Sequence, residues 1–189
     1  KPAIFIGLGS TGTQVLNYIR EFMYEEFGVA GFPVFHFLSI STDGQDETDR
    51  QFGIVTQPFE RMYEFKIYVP ELEGPRTKLD KKNETFFATY SGMHEWFDMD
   101  TLKDNRSTVK AGAGGNRQVG RMALWMNWDQ FDKHLSQCVD INKDARKDQM
   151  RDILRTYREQ KGGNITIDSD LDNAVDVYIV TSLSGGSGS

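Results

Sequence analysis

The stretch AIFIGLGSTGTQVL, residues 3–16, decides the fold of this chain. It opens with the continuous apolar run AIFI (3–6), which is typical of a buried strand. The glycine-rich turn GLGSTG (7–12) follows in the pattern G-x-G-x-x-G. From Thr13 the apolar residues recur at helical spacing, and Gly28 closes the helix. Glycines here allow a tight turn and a close backbone approach to a phosphate, and the helix N-terminus offers N–H donors. The stretch therefore predicts a strand, an anion-binding turn and a helix.

The rest of the chain extends this unit. Residues 33–40 (PVFHFLSI) form a second predicted strand, and the resulting βαβ unit requires a parallel sheet with a right-handed crossover. Helices are predicted at about 119–135 and at 144–161, and a last strand is predicted at 174–180. Residues 51–110 predict an irregular excursion, with one or two short helices, over one edge of the sheet. The expected fold class is α/β.

Composition narrows the classes of function. A net charge of −6 and a pI of about 5.1 argue against broad binding to nucleic acid or to anionic membranes. No segment approaches the roughly 18 consecutive apolar residues of a membrane span. The single cysteine, Cys138, cannot form an internal disulfide, so we expect it on a helix face in a reducing, cytoplasmic setting. The three histidines are too scattered to predict a metal site.

Two further glycine loops occupy helix-opening or strand-ending positions. GAGGN (112–116) precedes the helix predicted at about 119–135, and SLSGGSGS (182–189) follows the last predicted strand. A Walker loop is excluded because G-K-[ST] occurs nowhere. Each loop, considered by itself, is compatible with more than one kind of structure. The first loop, GLGSTG, fits a dinucleotide Rossmann site or a turn that binds nothing. The second loop, GAGGN, fits a hinge, and the third loop, SLSGGSGS, fits an artificial linker.

The second predicted strand runs into STDGQ (41–45), which contains Asp43. A dinucleotide fingerprint places its acidic residue about 20 positions after the glycines, and Asp43 lies beyond that distance. A turn-stabilising role for the Asp43 side chain is open as well.

The four motifs, in this order, resemble the tubulin/FtsZ superfamily of GTP-binding proteins, and most closely the bacterial tubulin-like proteins. SLSGGSGS resembles the signature G-G-G-T-G-S-G preceded by Ser-Leu, with Ser184 in place of the first glycine and Ser187 in place of the threonine. STDGQ resembles the N-T-D-A-Q segment, and GAGGN resembles the family's second phosphate loop. The resemblance implies a three-layer parallel sheet with helices on both faces, a Rossmann-like GTP-binding domain of tubulin/FtsZ type.

The resemblance also implies a site that binds GTP/GDP with Mg²⁺ near Asp43. It assigns phosphate contacts to three groups of residues: Gly9, Ser10, Thr11, Gly12 and Gln14; Ala113, Gly114, Gly115 and Asn116; and Ser184, Gly185, Gly186, Ser187, Gly188 and Ser189. Arg117 and Arg121 follow the second loop, where they either neutralise phosphate or form a solvated helix face.

In this family, subunits assemble head to tail into filaments, and GTP is hydrolysed at the subunit interface. In the superfamily the signature loop is followed by the rest of the nucleotide-binding domain, a long central helix and a second domain. The catalytic acids expected from the family come after that helix and thus lie outside this chain. We therefore expect 1–189 to be the N-terminal part of a tubulin-like GTP-binding domain, with the remainder and a second domain outside it. An insertion at about 46–110 is the expected contact for a protein partner. A non-polymerising nucleotide-sensing or scaffold module and an NAD(P)-binding Rossmann domain stay open as alternatives.

Overall fold

The computed structural model describes residues 2–42, 64–68, 92–97, 113, 116–140, 143–162 and 175–183. Its strands are β1 (Ala3–Leu8), β2 (Phe35–Ser41), β3 (Glu64–Tyr68) and β4 (Asp176–Thr181). Its α-helices are α1 (Gly9–Phe27), α2 (Arg117–Met126), α3 (Trp128–Asp140) and α4 (Lys143–Lys161), and a 3-10 turn spans Met93–Glu95. In none of these helices is there a stretch long and apolar enough to cross a membrane.

The four strands form one parallel sheet in the order β3-β2-β1-β4. In the ladders, Leu8 of β1 lies opposite Ile40 of β2 and opposite Thr181 of β4. The chain moves from β1 outward to β2 and β3, and it then returns to the other side of β1 with β4. The strand order thus reverses between β1 and β4. The α/β class and the parallel sheet expected from the sequence are confirmed.

One face of the sheet carries a row of aromatic rings. Phe5 of β1 stacks on Phe37 of β2 at 5.2 Å and on Tyr178 of β4 at 5.1 Å between ring centroids. Helix α1 covers this face, and its core side chains Leu16 and Met23 are buried. Met150 and Ile153 of α4 join the same cluster. The side chains that alternate strand residues place on this face therefore pack against the apolar faces of α1 and α4.

The other face of the sheet is aliphatic. A buried cluster here joins β1, β2, α2, α3 and the 3-10 turn: Ile4, Ile6, Leu38, Ile40, Met93, Phe97, Met122, Ala123 and Cys138. Cys138 is thus a buried helix residue. Among the aromatic residues near this cluster, Trp125 and Trp128 remain exposed at the surface of α2 and α3.

Three elements differ from the sequence prediction. Helix α1 begins at Gly9 and not near Thr13, because the glycine-rich turn is itself the first turn of the helix. The predicted helix at 119–135 is two helices, which Asn127 separates. Strand β3 lies within 51–110, where no strand is predicted. Of the proposed insertion at 46–110, only 64–68 and 92–97 are among the described residues.

Candidate functional site

The motif segments meet at one edge of the sheet. Parallel strands end at a common edge, and Leu8, Ile40 and Thr181 stand level in the ladders. Leu8 lies within the first glycine loop, and the residues that follow Ile40 and Thr181 open the STDGQ segment and the third loop, respectively. Open α/β sheets bind ligands outside the carboxyl ends of the strands, where the strand order reverses. Here that point lies between β1 and β4.

The first loop leads into α1 without an intervening connection. Gly9 has a φ of 69°, in the left-handed region that favours glycine. The residue before the helix, Leu8, provides no side-chain cap hydrogen bond, and the first turn contains no acidic side chain. Ser10 and Thr11 are exposed. The start of α1 therefore presents backbone N–H groups and the positive end of the helix dipole at the reversal point.

Gly7 and Gly12 let the backbones approach each other closely at this point. A Cβ on Gly12 would lie 2.5 Å from the carbonyl oxygen of Val180 in β4, and a Cβ on Gly7 would lie 2.7 Å from the carbonyl carbon of Gly12. Any side chain at either position would therefore push α1 away from β1 and β4. Gly12 is buried, and it brings the first loop against the strand that leads to the third loop.

The buried side chain of Thr13 holds the first loop in place through two hydrogen bonds. Its hydroxyl donates to the Gly9 carbonyl at 2.9 Å and lies 2.7 Å from the Ser39 hydroxyl. A threonine hydroxyl has one hydrogen, so Ser39 supplies the hydrogen of the second contact. Both side chains are buried. Neither residue is predicted as a site residue from the sequence, although the alternation of polar and apolar residues in FLSIS places Ser39 and Ser41 on the same face of β2.

The second loop is attached to the end of β2. The backbone N–H of Ala113 donates to Oγ1 of Thr42 at 3.0 Å, and both residues are buried. The N–H of Asn116 donates to the Ala113 carbonyl at 2.8 Å. Asn116 also caps α2, because its Oδ1 accepts from the amides of Gln118 and Val119 at 3.0 and 3.2 Å. The amides of Ala113 and Asn116 are thus used within the protein.

The third loop is attached to the start of α2. Nη2 of Arg117 donates to the carbonyl oxygen of Leu183 at 3.0 Å. Leu183 follows β4 by two residues and is 80% exposed. Arg117 is exposed as well. A hydrogen bond therefore joins the start of α2, which follows the second loop, to the beginning of the third loop after β4.

The described part of the predicted site is brought together at this edge. Gly9, Ser10, Thr11 and Gly12 lie at the reversal point, and Gln14 is half-buried one turn further along α1. Ala113 and Asn116 lie beside the end of β2. The remaining predicted residues lie outside the described residues: Asp43, Gly114, Gly115, Ser184, Gly185, Gly186, Ser187, Gly188 and Ser189. Within the described ranges, no group of three or more His, Cys, Asp or Glu side chains forms a candidate metal site.

Comparison with known proteins supports the relationship that the motifs indicate. A protein-family model described as tubulin-like matches residues 4–189, which is nearly the whole chain. Searches of curated proteins and of solved structures returned no significant match. The family match spans all four motifs and every described strand and helix except the first residue of β1. The chain therefore belongs to the tubulin-like family.

Proposed function

We propose that this protein binds GTP and GDP at the carboxyl edge of the sheet and assembles head to tail into filaments. In this proposal the sheet and its helices form the three-layer, Rossmann-like nucleotide domain of tubulin/FtsZ type. Membership of the tubulin-like family supports the proposal at the level of the whole chain.

One observation at the site carries the proposal. Helix α1 starts without a side-chain cap at the point where the strand order reverses, and Gly12 allows β4 to approach it. An uncapped helix start with glycines around it suits a phosphate group, because the backbone N–H groups and the helix dipole both favour an anion. The donor set present therefore fits a nucleotide phosphate.

The roles within the site follow from this arrangement and from the family resemblance. We assign the α- and β-phosphates to the amides of Gly9, Ser10 and Thr11. We assign the γ-phosphate side to the second loop, in which Ala113 and Asn116 hold the loop in shape while Gly114 and Gly115 contact the ligand. Residues 184–189 surround the remaining phosphate oxygens, and Asp43 holds Mg²⁺ through water. Bound Mg²⁺ would neutralise phosphate charge.

Assembly follows from a nucleotide placed between two subunits. A head-to-tail contact is heterologous and does not close on itself, so it produces a filament. In the proposal, hydrolysis needs acidic groups from the neighbouring subunit and so depends on assembly. We place the protein in the cytoplasm. The 46–110 segment is the proposed contact for a further protein partner.

The test is a binding titration of the full-length protein with GTP and Mg²⁺, with ATP and NADH as competitors and with light scattering recorded in the same cuvette. The expected result is GTP-selective binding with scattering that rises above a threshold protein concentration.

Each alternative predicts a different result in this titration. Selective binding without scattering at any protein concentration would favour a nucleotide-sensing module over a polymer. Displacement by NADH, with no preference for GTP, would favour a dinucleotide site. The absence of any GTP binding would overturn the proposed function.

A further inference from the structure

We infer that Arg117 is a positioning residue: its side chain ties the second loop to the third and thereby sets the affinity for nucleotide. This inference rests on the proposed function and extends it to a residue outside the three loops. It starts from the contact between Nη2 of Arg117 and the Leu183 carbonyl oxygen, which joins positions 66 residues apart.

The backbone at the start of α2 is engaged in its own cap. Asn116 accepts from the amides of Gln118 and Val119, and its own N–H is directed to the Ala113 carbonyl. Helix α2 therefore differs from α1, whose start has no side-chain cap. The Arg117 side chain extends from the start of α2 to the third loop, where it donates to the Leu183 carbonyl oxygen.

The chemistry of the guanidinium suits this role. It is planar and always charged, and it carries five N–H donors in a fixed geometry. A hydrogen bond from a charged donor to a carbonyl is stronger than one between neutral groups. Arg117 also places a positive charge beside the loops that the proposal assigns to phosphate. One residue thus combines a fixed contact with a favourable local potential.

The contact acts through the geometry of the peptide group. A trans peptide is planar, with its C=O and N–H pointing in opposite directions. A side chain that holds the Leu183 carbonyl oxygen therefore restrains the peptide group to which this oxygen belongs. That peptide group leads into the segment whose amides the proposal assigns to phosphate oxygens. Loss of the contact would leave this segment less well placed before nucleotide binds.

The experiment compares Arg117→Gln, Arg117→Lys and the control Arg155→Gln in the full-length protein. Arg155 is an exposed arginine on α4 that pairs with Asp152 within its own helix, so its replacement removes the same charge away from the loops. Two quantities are measured: the dissociation constant for GTP with Mg²⁺, and hydrogen exchange of peptides covering 177–189 without nucleotide.

We expect Arg117→Gln to weaken GTP binding by about 5-fold and to speed exchange in 177–189, because a charge-assisted hydrogen bond is lost. Arg117→Lys keeps the charge without the planar fork, so it should recover part of the affinity. Arg155→Gln should change the dissociation constant by less than about 2-fold, since exposed pairs within a helix contribute little.

Two results separate this inference from the proposed function. If the wild-type protein binds GTP and Arg117→Gln matches it in both affinity and exchange, the role of Arg117 is overturned while the proposed function stands. If the wild-type protein does not bind GTP, the proposed function fails. Faster exchange in Arg117→Gln would then still support the contact between the loops, and unchanged exchange would overturn it.

Discussion

At the residue scale, two glycines and a hydroxyl pair shape the first loop. Gly7 and Gly12 leave no room for a Cβ between β1, α1 and β4, whereas Gly9 is needed for its positive φ. Thr13 and Ser39 fasten the loop from the buried side. The G-x-G-x-x-G spacing predicts a tight turn at these glycines, but it does not predict that Gly12 lies against Val180 of β4. The pairing of Thr13 with Ser39 joins two segments and has no local signature.

Gly12→Ala tests the close approach of α1 to β4. Its Cβ would meet backbone atoms, which cannot turn aside as a flexible side chain can. We expect the free energy of unfolding to fall by about 3 kcal/mol, at the upper end of the cost of overpacking. Urea denaturation measures the change. The control is Gly28→Ala at the other end of α1, where no atom lies within 4 Å of the added Cβ but φ is +72°. An alanine there should cost only about 1–2 kcal/mol of backbone strain. Equal losses in the two variants would contradict steric exclusion at Gly12.

At the element scale, helix ends and junctions decide how the chain is divided. Asn127 ends α2: its side-chain amide donates to the Ala123 carbonyl at 2.9 Å, and its own carbonyl accepts from Phe131 at 3.1 Å. The apolar spacing continues across this break, so the sequence predicts one helix where there are two. Strand β3 is an edge strand that is defined by its pairing with β2. Such long-range pairing leaves little trace in a segment of five residues.

Besides their apolar contacts, α1 and α4 are joined by a polar triad at their C-terminal ends. The hydroxyl of Tyr157 donates to Oε1 of Glu26 at 2.8 Å, and Nζ of Lys161 donates to Oε2 at 3.3 Å. The hydrogen bond from Tyr157, followed by the hydrogen bond and the charge of Lys161, lowers the pKa of Glu26. The same hydrogen bond to Glu26 raises the pKa of Tyr157.

Tyr157→Phe should therefore lower stability in a pH-dependent manner. A carboxyl with a lowered pKa stabilises the fold above its unfolded-state pKa, and this contribution is lost as the pH falls through the lowered value. A tyrosine with a raised pKa contributes below its unfolded-state pKa, and this contribution is lost as the pH rises through the raised value. The stability difference between wild type and Tyr157→Phe should be largest between these limits. Urea denaturation across a pH series measures it.

Glu26→Gln provides the control background for this pH series. In that background the acid limb of the Tyr157→Phe effect should disappear, because no carboxyl titrates at the contact. An acid limb of the same size in both backgrounds would show that other groups cause it. The Tyr157 ring packs on Phe27 at 4.9 Å, and phenylalanine preserves this packing, so the comparison isolates the hydroxyl.

At the scale of the whole molecule, the parallel sheet brings the three glycine loops and the end of β2 to one edge, although they lie far apart in the sequence. The sequence predicts the α/β class and the order of the motifs, and the family match over 4–189 agrees with the superfamily that those motifs resemble. The contacts between the loops are not predictable in the same way. Thr42 with Ala113 and Arg117 with Leu183 each join distant segments through a single hydrogen bond. These contacts depend on the packed geometry of the sheet and its helices.

Stabilisation by GTP should depend on the start of α1 and not on its end. A ligand at 100 times its dissociation constant adds about 2.7 kcal/mol to the free energy of unfolding. We expect this gain in the wild type and in Gly28→Ala, and a smaller gain in Gly9→Ala at the same GTP concentration. Gly9 and Gly28 have similar φ values, 69° and 72°, so each alanine is placed in the left-handed region. Thermal or urea unfolding with and without GTP measures the gain. An equal gain in both variants would remove Gly9 from the proposed site.

The pairing of β1 with β4 also has a consequence for the order of folding. Ala3 and Asp176 are partners in this ladder, so their pairing closes a loop that contains nearly the whole chain, at a cost in chain entropy. Contacts of such high sequence separation form slowly, and parallel pairing is slower than local hairpin formation. The approach of Gly12 to Val180 depends on the pairing of β4 with β1. We therefore expect partly folded chains to lack the nucleotide site, so that a bound nucleotide marks a chain whose sheet is complete.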